Sequence, residues 1–420
     1  MSEGREGVDT VGLDTPPPLA VDRLLDDRET RIIVCCGAGG VGKTTTAAAL
    51  GVRAAARGRK AVVLTIDPAR RLAQSMGIDS LDNTPRRVAS VGEDGGELHA
   101  MMLDMKRTFD EIVEAHADAE RARAILANPF YQSLSAGFAG TQEYMAMEKL
   151  GQLRARDDWD LIIVDTPPSR SALDFLDAPK RLGSFLDGKF IRVLMAPAKV
   201  GGRAGMKFLN VGMSMMTGTL SKLMGASLLK DVQTFVAAMD TMFGGFRTRA
   251  DATFRLLQAP GTAFLVVAAP EPDALREAAY FVERLAAERM PLAGLVLNRV
   301  HGSGADQLSA ERALAAAENL EEGGIVDQGS GKAGLRDTAA EPPGADDDTT
   351  AVDRITAGLL RLHAERMQVI AREQRTRDRF TSLHPEVAVA EVAALPGDVH
   401  DLAGLRAIGE RLAAGVPAGA

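Results

Sequence analysis

Seven short apolar runs recur along the chain: Arg31 to Cys36, Lys60 to Ile66, Glu97 to Leu103, Asp160 to Val164, Thr262 to Ala269, Ala293 to Asn298 and Glu386 to Ala394. They are rich in β-branched residues and separated by helical stretches, which predicts strands buried on both faces. The fold class that follows is α/β, a doubly wound and mainly parallel sheet, with ligand chemistry expected at the strand C-termini. The Ala-rich stretch from Thr45 to Arg57 is predicted to be a helix after the first strand.

Between residues 188 and 250 the period changes. Met206, Leu209, Met213, Met216, Leu220 and Leu223 fall at alternating three- and four-residue spacing, and Val232, Phe235, Val236, Met239, Met242, Phe243 and Phe246 do much the same. Two amphipathic helices follow. This region holds eight of the chain's 17 methionines. Two readings stand side by side: the stripes pack on each other as an inserted helical subdomain, or the deformable Met side chains form a groove for an apolar client. The basic residues Lys180, Arg181, Lys189, Arg192, Lys199, Arg203 and Lys207 at its entrance are either a solvated face or a contact for an acidic or lipid surface.

The chain thus divides into a polar, Pro-rich tail at 1–28, expected to be disordered, and a first core part at 29–187. The Met-rich helical subdomain at 188–250 and a second core part at 251–300 follow. Residues 301–350, rich in Gly, Ala and acidic residues, are expected to be a mostly disordered insertion. A helix and a strand within 351–420 complete the core.

With 420 residues, a net charge of -8 and pI about 5.5, the chain lacks the composition of a broad basic surface, so nucleic acid is not an expected partner. No apolar run reaches the roughly 18 residues of a membrane span, and residues 1–28 lack the apolar stretch of a signal peptide. A cytoplasmic protein is expected, peripheral at the inner face if it meets a membrane at all. The two cysteines, Cys35 and Cys36, are neighbours on one predicted strand and point to opposite faces, which suits neither a disulfide nor a metal pair. The six histidines are scattered, and no zinc site is expected.

The most specific motif is Gly37-Ala38-Gly39-Gly40-Val41-Gly42-Lys43-Thr44, followed by Thr45, which fits G-x-x-x-x-G-K-[ST] at each fixed position. Glycines let the backbone form a concave nest of amides against phosphate oxygens. Lys43 adds a charge at the β and γ phosphates, Thr44 offers a hydroxyl to Mg²⁺, and the following helix turns its positive end to the anion. Two carboxylates end strands nearby. Asp165 is a candidate Mg²⁺ group, direct or through water, and Asp67 a candidate for orienting the attacking water. Either aspartate is also a natural helix N-cap.

These residues, taken in order, resemble the arsenical pump-driving ATPase family, which includes the ATPase that targets tail-anchored membrane proteins. The likeness rests on the loop Gly37 to Thr45, Asp67-Pro68-Ala69, Asp165-Thr166-Pro167-Pro168, Pro270-Glu271-Pro272 with Leu275 and Glu277, Val296-Leu297-Asn298, and Leu395-Pro396-Gly397-Asp398-Val399. The resemblance implies a P-loop NTPase with a nitrogenase iron protein-like fold, using ATP and Mg²⁺ in a dimer with two nucleotides at the interface. It makes Asp67 the switch I water-positioning residue and Asp165 to Ser171 switch II. Asn298 and the loop after Pro396 become adenine contacts, with Glu271 near the nucleotide.

The departures are informative. No cysteine lies outside the first strand, so thiolate binding of arsenite and a Cys-x-x-Cys zinc clamp have no ligands here. Position 38, where the family carries a second lysine that reaches the partner's nucleotide, is Ala38. The resemblance then implies a heterodimer with a paralogous subunit that keeps the lysine. A slow, regulatory nucleotide-binding subunit and a partitioning or septum-positioning ATPase are the alternatives.

Overall fold

The computed structural model describes residues 16–66, 71–92, 95–135, 141–167, 245, 248–326 and 345–414. The predicted segment 188–250 lies outside the described residues except for Gly245 and the start of a helix at 248–258, and Asp67 also lies outside them. Each of the seven apolar runs forms a strand: β1 (Ile32–Cys36), β2 (Lys60–Thr65), β4 (Glu97–Met102), β5 (Leu161–Asp165), β6 (Thr262–Ala268), β7 (Leu292–Val300) and β8 (Val389–Ala393). A two-residue strand, β3 (Arg86–Arg87), was not foreseen and pairs antiparallel at one edge. The order is β3-β4-β2-β5-β1-β6-β7-β8, and every pairing except that of β3 is parallel. The C-terminal ends of seven strands therefore share one edge, which carries the candidate site.

Both sheet faces are covered, as the continuous apolar runs require. On one side Ile33 and Cys35 pack with α2 (Lys43–Ala56), α1 (Val21–Asp26) and the final helix (Leu402–Ala414). On the other, Ile32, Val34 and Cys36 pack with the helices Met105–His116, Thr141–Arg156 and Pro272–Ala287. Alternation of Cβ along β1 thus sends the two cysteines into opposite cores. Burial pushes the Cys36 thiol up to about 12 and raises the Cys35 thiol well above its ordinary value, with help from the nearby Asp165 charge, which keeps both protonated. No helix among the described residues is long and apolar enough to cross a membrane.

Two expectations of disorder are corrected. Within 1–28, Leu19 and Val389 bond through Leu19 N to Val389 O at 2.9 Å, and Val389 N donates to Pro17 O at 2.9 Å. Helix α1 then buries Val21 and Leu25 completely, while its Asp22 and Asp26 pair with Arg53 and Arg57 of α2. The proline and acid content hid a short amphipathic helix with one apolar face. Within 301–350, residues 310–326 form helix Ala310–Val326, which lies against a 39-residue helix, Ala345–Leu383. Ala313, Ala317, Ala357 and Ala364 are fully buried, and the alanines of 310–326 that read as low complexity belong to a packed helix pair.

The long helix is tied to the strand end that matters here. Glu373 accepts from the His301 backbone at 2.9 Å and meets its ring Nδ1 at 2.6 Å, three residues after Asn298. Arg377 bonds Glu391 of β8 at 2.8 Å. At the opposite sheet edge, Arg59 has no exposed surface and its guanidinium donates to the carbonyls of Leu25, Asp27, Thr30 and Asp160 and to the Asp160 carboxylate, over 2.6–3.0 Å. This one side chain joins α1, β2 and the start of β5. Replacing it by alanine strands several buried acceptors, and Arg59→Ala should cost about 3 kcal/mol or more in urea denaturation, whereas a loss under about 1 kcal/mol would show that water takes over these carbonyls.

Candidate nucleotide-binding site

The loop between β1 and α2 has the backbone that its glycines predict. Gly40 and Gly42 have φ of 77° and 97°, in the left-handed region, and Gly42 is the N-cap of α2. A Cβ on Gly37 would stand 2.0 Å from the Val267 carbonyl oxygen of β6, so the loop leaves the sheet through a gap only glycine passes. Gly39 and Gly40 are exposed at its crest. The first turn of α2 contains no acidic residue of its own to offset the positive helix end.

Lys43 is only 5% exposed, and its ammonium donates to the Ala38 carbonyl at 2.6 Å across the same loop. The cation is thereby held at the mouth of the nest by a short, charge-assisted bond that a phosphate oxygen is able to replace. Ala38 itself is buried, and Thr45 is half-buried beside Thr44.

Asp165 ends β5 with no exposed surface. Its Oδ2 accepts from the Thr44 hydroxyl at 2.7 Å and from the Thr65 hydroxyl at 2.9 Å. The sheet register brings this about, because Asp165 is paired with Cys35 on one side and Thr65 on the other. Thr166, the next residue, bonds the Cys35 carbonyl through both its backbone N at 3.2 Å and its hydroxyl at 2.9 Å. Thr44 and Asp165 are hard oxygen donors meeting at a helix N-terminus, a donor set that fits Mg²⁺. Motif reading misses Thr65 and the use of the Ala38 carbonyl as the acceptor for Lys43. The only available signal was a threonine at the last position of an otherwise apolar strand.

Asn298 joins this centre from β7. Its Nδ2 donates to the Val41 carbonyl at 2.8 Å, and it is buried. The pairing of β7 with β8 shifts register between Asn298 and Val300, and Arg299 has φ of 62°, a local bulge that ends regular pairing beside the site. The Asn298 side chain also fills the space that a Cβ on Gly42 would need, 2.2 Å away. Glu271 is exposed at the N-cap of the Pro272–Ala287 helix after β6, and Pro396 is exposed in the loop after β8. Both are on the strand C-terminal edge. Ile66, just before Asp67, donates its N–H to the Asp165 carbonyl at 3.0 Å and accepts from Gln142 at 3.1 Å, so the chain leaves β2 alongside Asp165.

Comparison with known proteins bears on this arrangement. The family model described as anion-transporting ATPase matches residues 30–321. An ATPase GET3 of Podospora anserina is 26% identical over 299 residues, covering 69% of this chain and 80% of the relative. An ATPase GET3 of Malassezia globosa is 29% identical over 173 residues, 41% of this chain and 50% of that protein. A putative arsenical pump-driving ATPase of Halobacterium salinarum is 29% identical over 205 residues, 46% of this chain, and the match spans 31% of its length.

The loop geometry separates two glycines. Gly42→Ala forces a Cβ into Asn298 and should lower nucleotide affinity at least about tenfold, whereas Gly40→Ala, with nothing within 4 Å, should lower it much less despite a comparable backbone strain of about 1–2 kcal/mol. Titration calorimetry with ATP measures both, and equal losses would refute the role given to the Asn298 contact.

Proposed function

Because the chain belongs to the anion-transporting ATPase family, we propose that it is a Mg²⁺-dependent ATPase whose cycle drives transport or membrane targeting of an apolar or anionic client. The observation that carries this reading is the convergence of Lys43, Thr44, Asp165 and Asn298 on one loop at the sheet's C-terminal edge. In the proposed cycle the triphosphate lies in the nest of loop amides, and Lys43 exchanges the Ala38 carbonyl for phosphate oxygens. Thr44 and Asp165 would hold Mg²⁺, which would neutralise charge developing on the phosphates. Asp67 orients the attacking water. Asn298 and the loop at Pro396 border the base, with Glu271 near it. The Met-rich segment 188–250 receives the client, and the protein works in the cytoplasm, peripheral to the inner face of the membrane.

The assembly in this reading is a dimer with nucleotide at the subunit interface. Ala38 has a methyl group where a charge is needed to reach the other subunit's phosphates, so a homodimer lacks that cation at both sites. Loss of a trans-acting charge in phosphoryl transfer costs about three to five orders of magnitude, judged by arginine fingers. A paralogous subunit that carries lysine at this position completes the site built on Lys43 and Asp67, giving one active site per heterodimer. Ala38 also favours a second reading, a slow regulatory subunit.

Kinetics on the purified chain separate these readings. Lys43→Ala should abolish tight ATP binding, while Asp67→Asn should keep binding and lower turnover at least about a hundredfold in the paired enzyme. Asp67→Asn turnover within about twofold of wild type would remove Asp67 from the chemistry. The chain alone should turn over slowly, and Ala38→Lys should raise activity at the partner's site. Brisk hydrolysis by a homodimer would overturn the pairing.

A further inference from the structure

Thr65 belongs to neither the phosphate loop nor the pair of strand-ending aspartates, yet it is 1% exposed and its hydroxyl reaches the centre of the site. It donates to Asp165 Oδ2 at 2.9 Å, the same oxygen that accepts from Thr44 at 2.7 Å. The backbone around it is fixed on both sides. Thr65 pairs with Asp165 in the β2–β5 ladder, its carbonyl accepts from Leu103 at 2.9 Å, and the next residue, Ile66, donates to the Asp165 carbonyl at 3.0 Å. The hydroxyl therefore has little freedom to follow a moving carboxylate.

The terminal torsion of an aspartate is soft and roughly two-fold, so a carboxylate held by a single hydroxyl turns readily. Thr44 is poorly placed to hold it alone. Its hydroxyl has one proton and two lone pairs, and while the proton points at Asp165 the lone pairs are left for a divalent cation. The orientation of Thr44 thus depends on that of Asp165, and Asp165 needs an anchor outside the loop.

We propose that Thr65 is a positioning residue that turns the Asp165 carboxylate toward Thr44 and so sets the Thr44 oxygen for the divalent cation of the nucleotide complex. It acts on the metal-dependent part of binding and leaves the cradle of loop amides and Lys43 alone. The inference rests on the nucleotide-site reading above. The competing account is that Thr65 is a β-branched strand residue whose buried hydroxyl merely needs an acceptor.

The test is Thr65→Val in the full chain, which keeps the β-branch and removes the hydroxyl, with affinity for a fluorescent ATP analogue measured in EDTA and along a Mg²⁺ titration. Loss of an oriented ligand partner lowers metal affinity about 10- to 100-fold. The Mg²⁺ midpoint should therefore rise at least about tenfold while affinity in EDTA stays within about twofold, and Thr65→Ser should restore the wild-type midpoint. Mn²⁺ binding to the nucleotide complex, followed by electron paramagnetic resonance, should weaken in parallel. A Thr65→Val midpoint within about twofold of wild type overturns the proposal, as does an equal loss of affinity in EDTA, the signature of a purely structural role. If the valine variant does not fold, Thr65→Cys against Thr65→Ser makes the same comparison, and equal midpoints for the two would overturn it. A wild-type chain that binds no ATP at all would instead defeat the nucleotide-site reading itself.

Discussion

A carboxylate with no exposed surface is costly unless it is bonded, and Asp165 meets part of that demand with hydroxyls from two other elements, both of which donate to Oδ2. Thr44 comes from the first turn of α2 and Thr65 from the end of β2. The arrangement exists only if β5 lies between β1 and β2 in the observed register, with Cys35 and Thr65 as its in-line neighbours. Strand order, register and helix entry are thereby linked through one side chain. A slip of one residue in β5 would turn Asp165 to the other face and bury a charge among aliphatic side chains.

The other half of the site is governed by how closely backbone approaches backbone. Gly37 passes the Val267 carbonyl at a distance no Cβ tolerates, and Gly42 leaves room for the Asn298 amide. β6 and β7 therefore shape a loop whose sequence lies more than two hundred residues earlier. The bond from Asn298 to the Val41 carbonyl fastens the loop to the far half of the sheet. The clasp of His301 with Glu373 fastens that strand end in turn to the long helix. The candidate site residues, the loop and the flanking helices form one connected set of contacts along the strand C-terminal edge.

The opposite edge is organised by a different device. Arg59 places a fully buried guanidinium among the carbonyls that leave α1 and the start of β5. Its planar fork matches several acceptors at once, which a lysine ammonium does not. Burial of Val21 and Leu25 adds apolar area to the same junction. The stabilising centre at the base and the polar centre at the top are thus separated by the length of the strands.

Residue pattern alone determined the seven principal strands and the phosphate loop, because runs apolar on both faces have few other stable uses and the loop needs glycine at particular torsions. It also sent Cys35 and Cys36 to opposite cores, since Cβ atoms alternate along any strand. Strand order was beyond it, since sequence spacing does not say which parallel strands become neighbours. The same limit hid Thr65 and the contact of Asn298 with the loop, both of which arise from long-range register. Helices Val21–Asp26 and Ala310–Val326 read as disorder because proline, acid and alanine content masks faces that acquire meaning only against α2 with the final helix and against the long helix, respectively. What composition cannot report is the partner surface that makes a weak local preference stable.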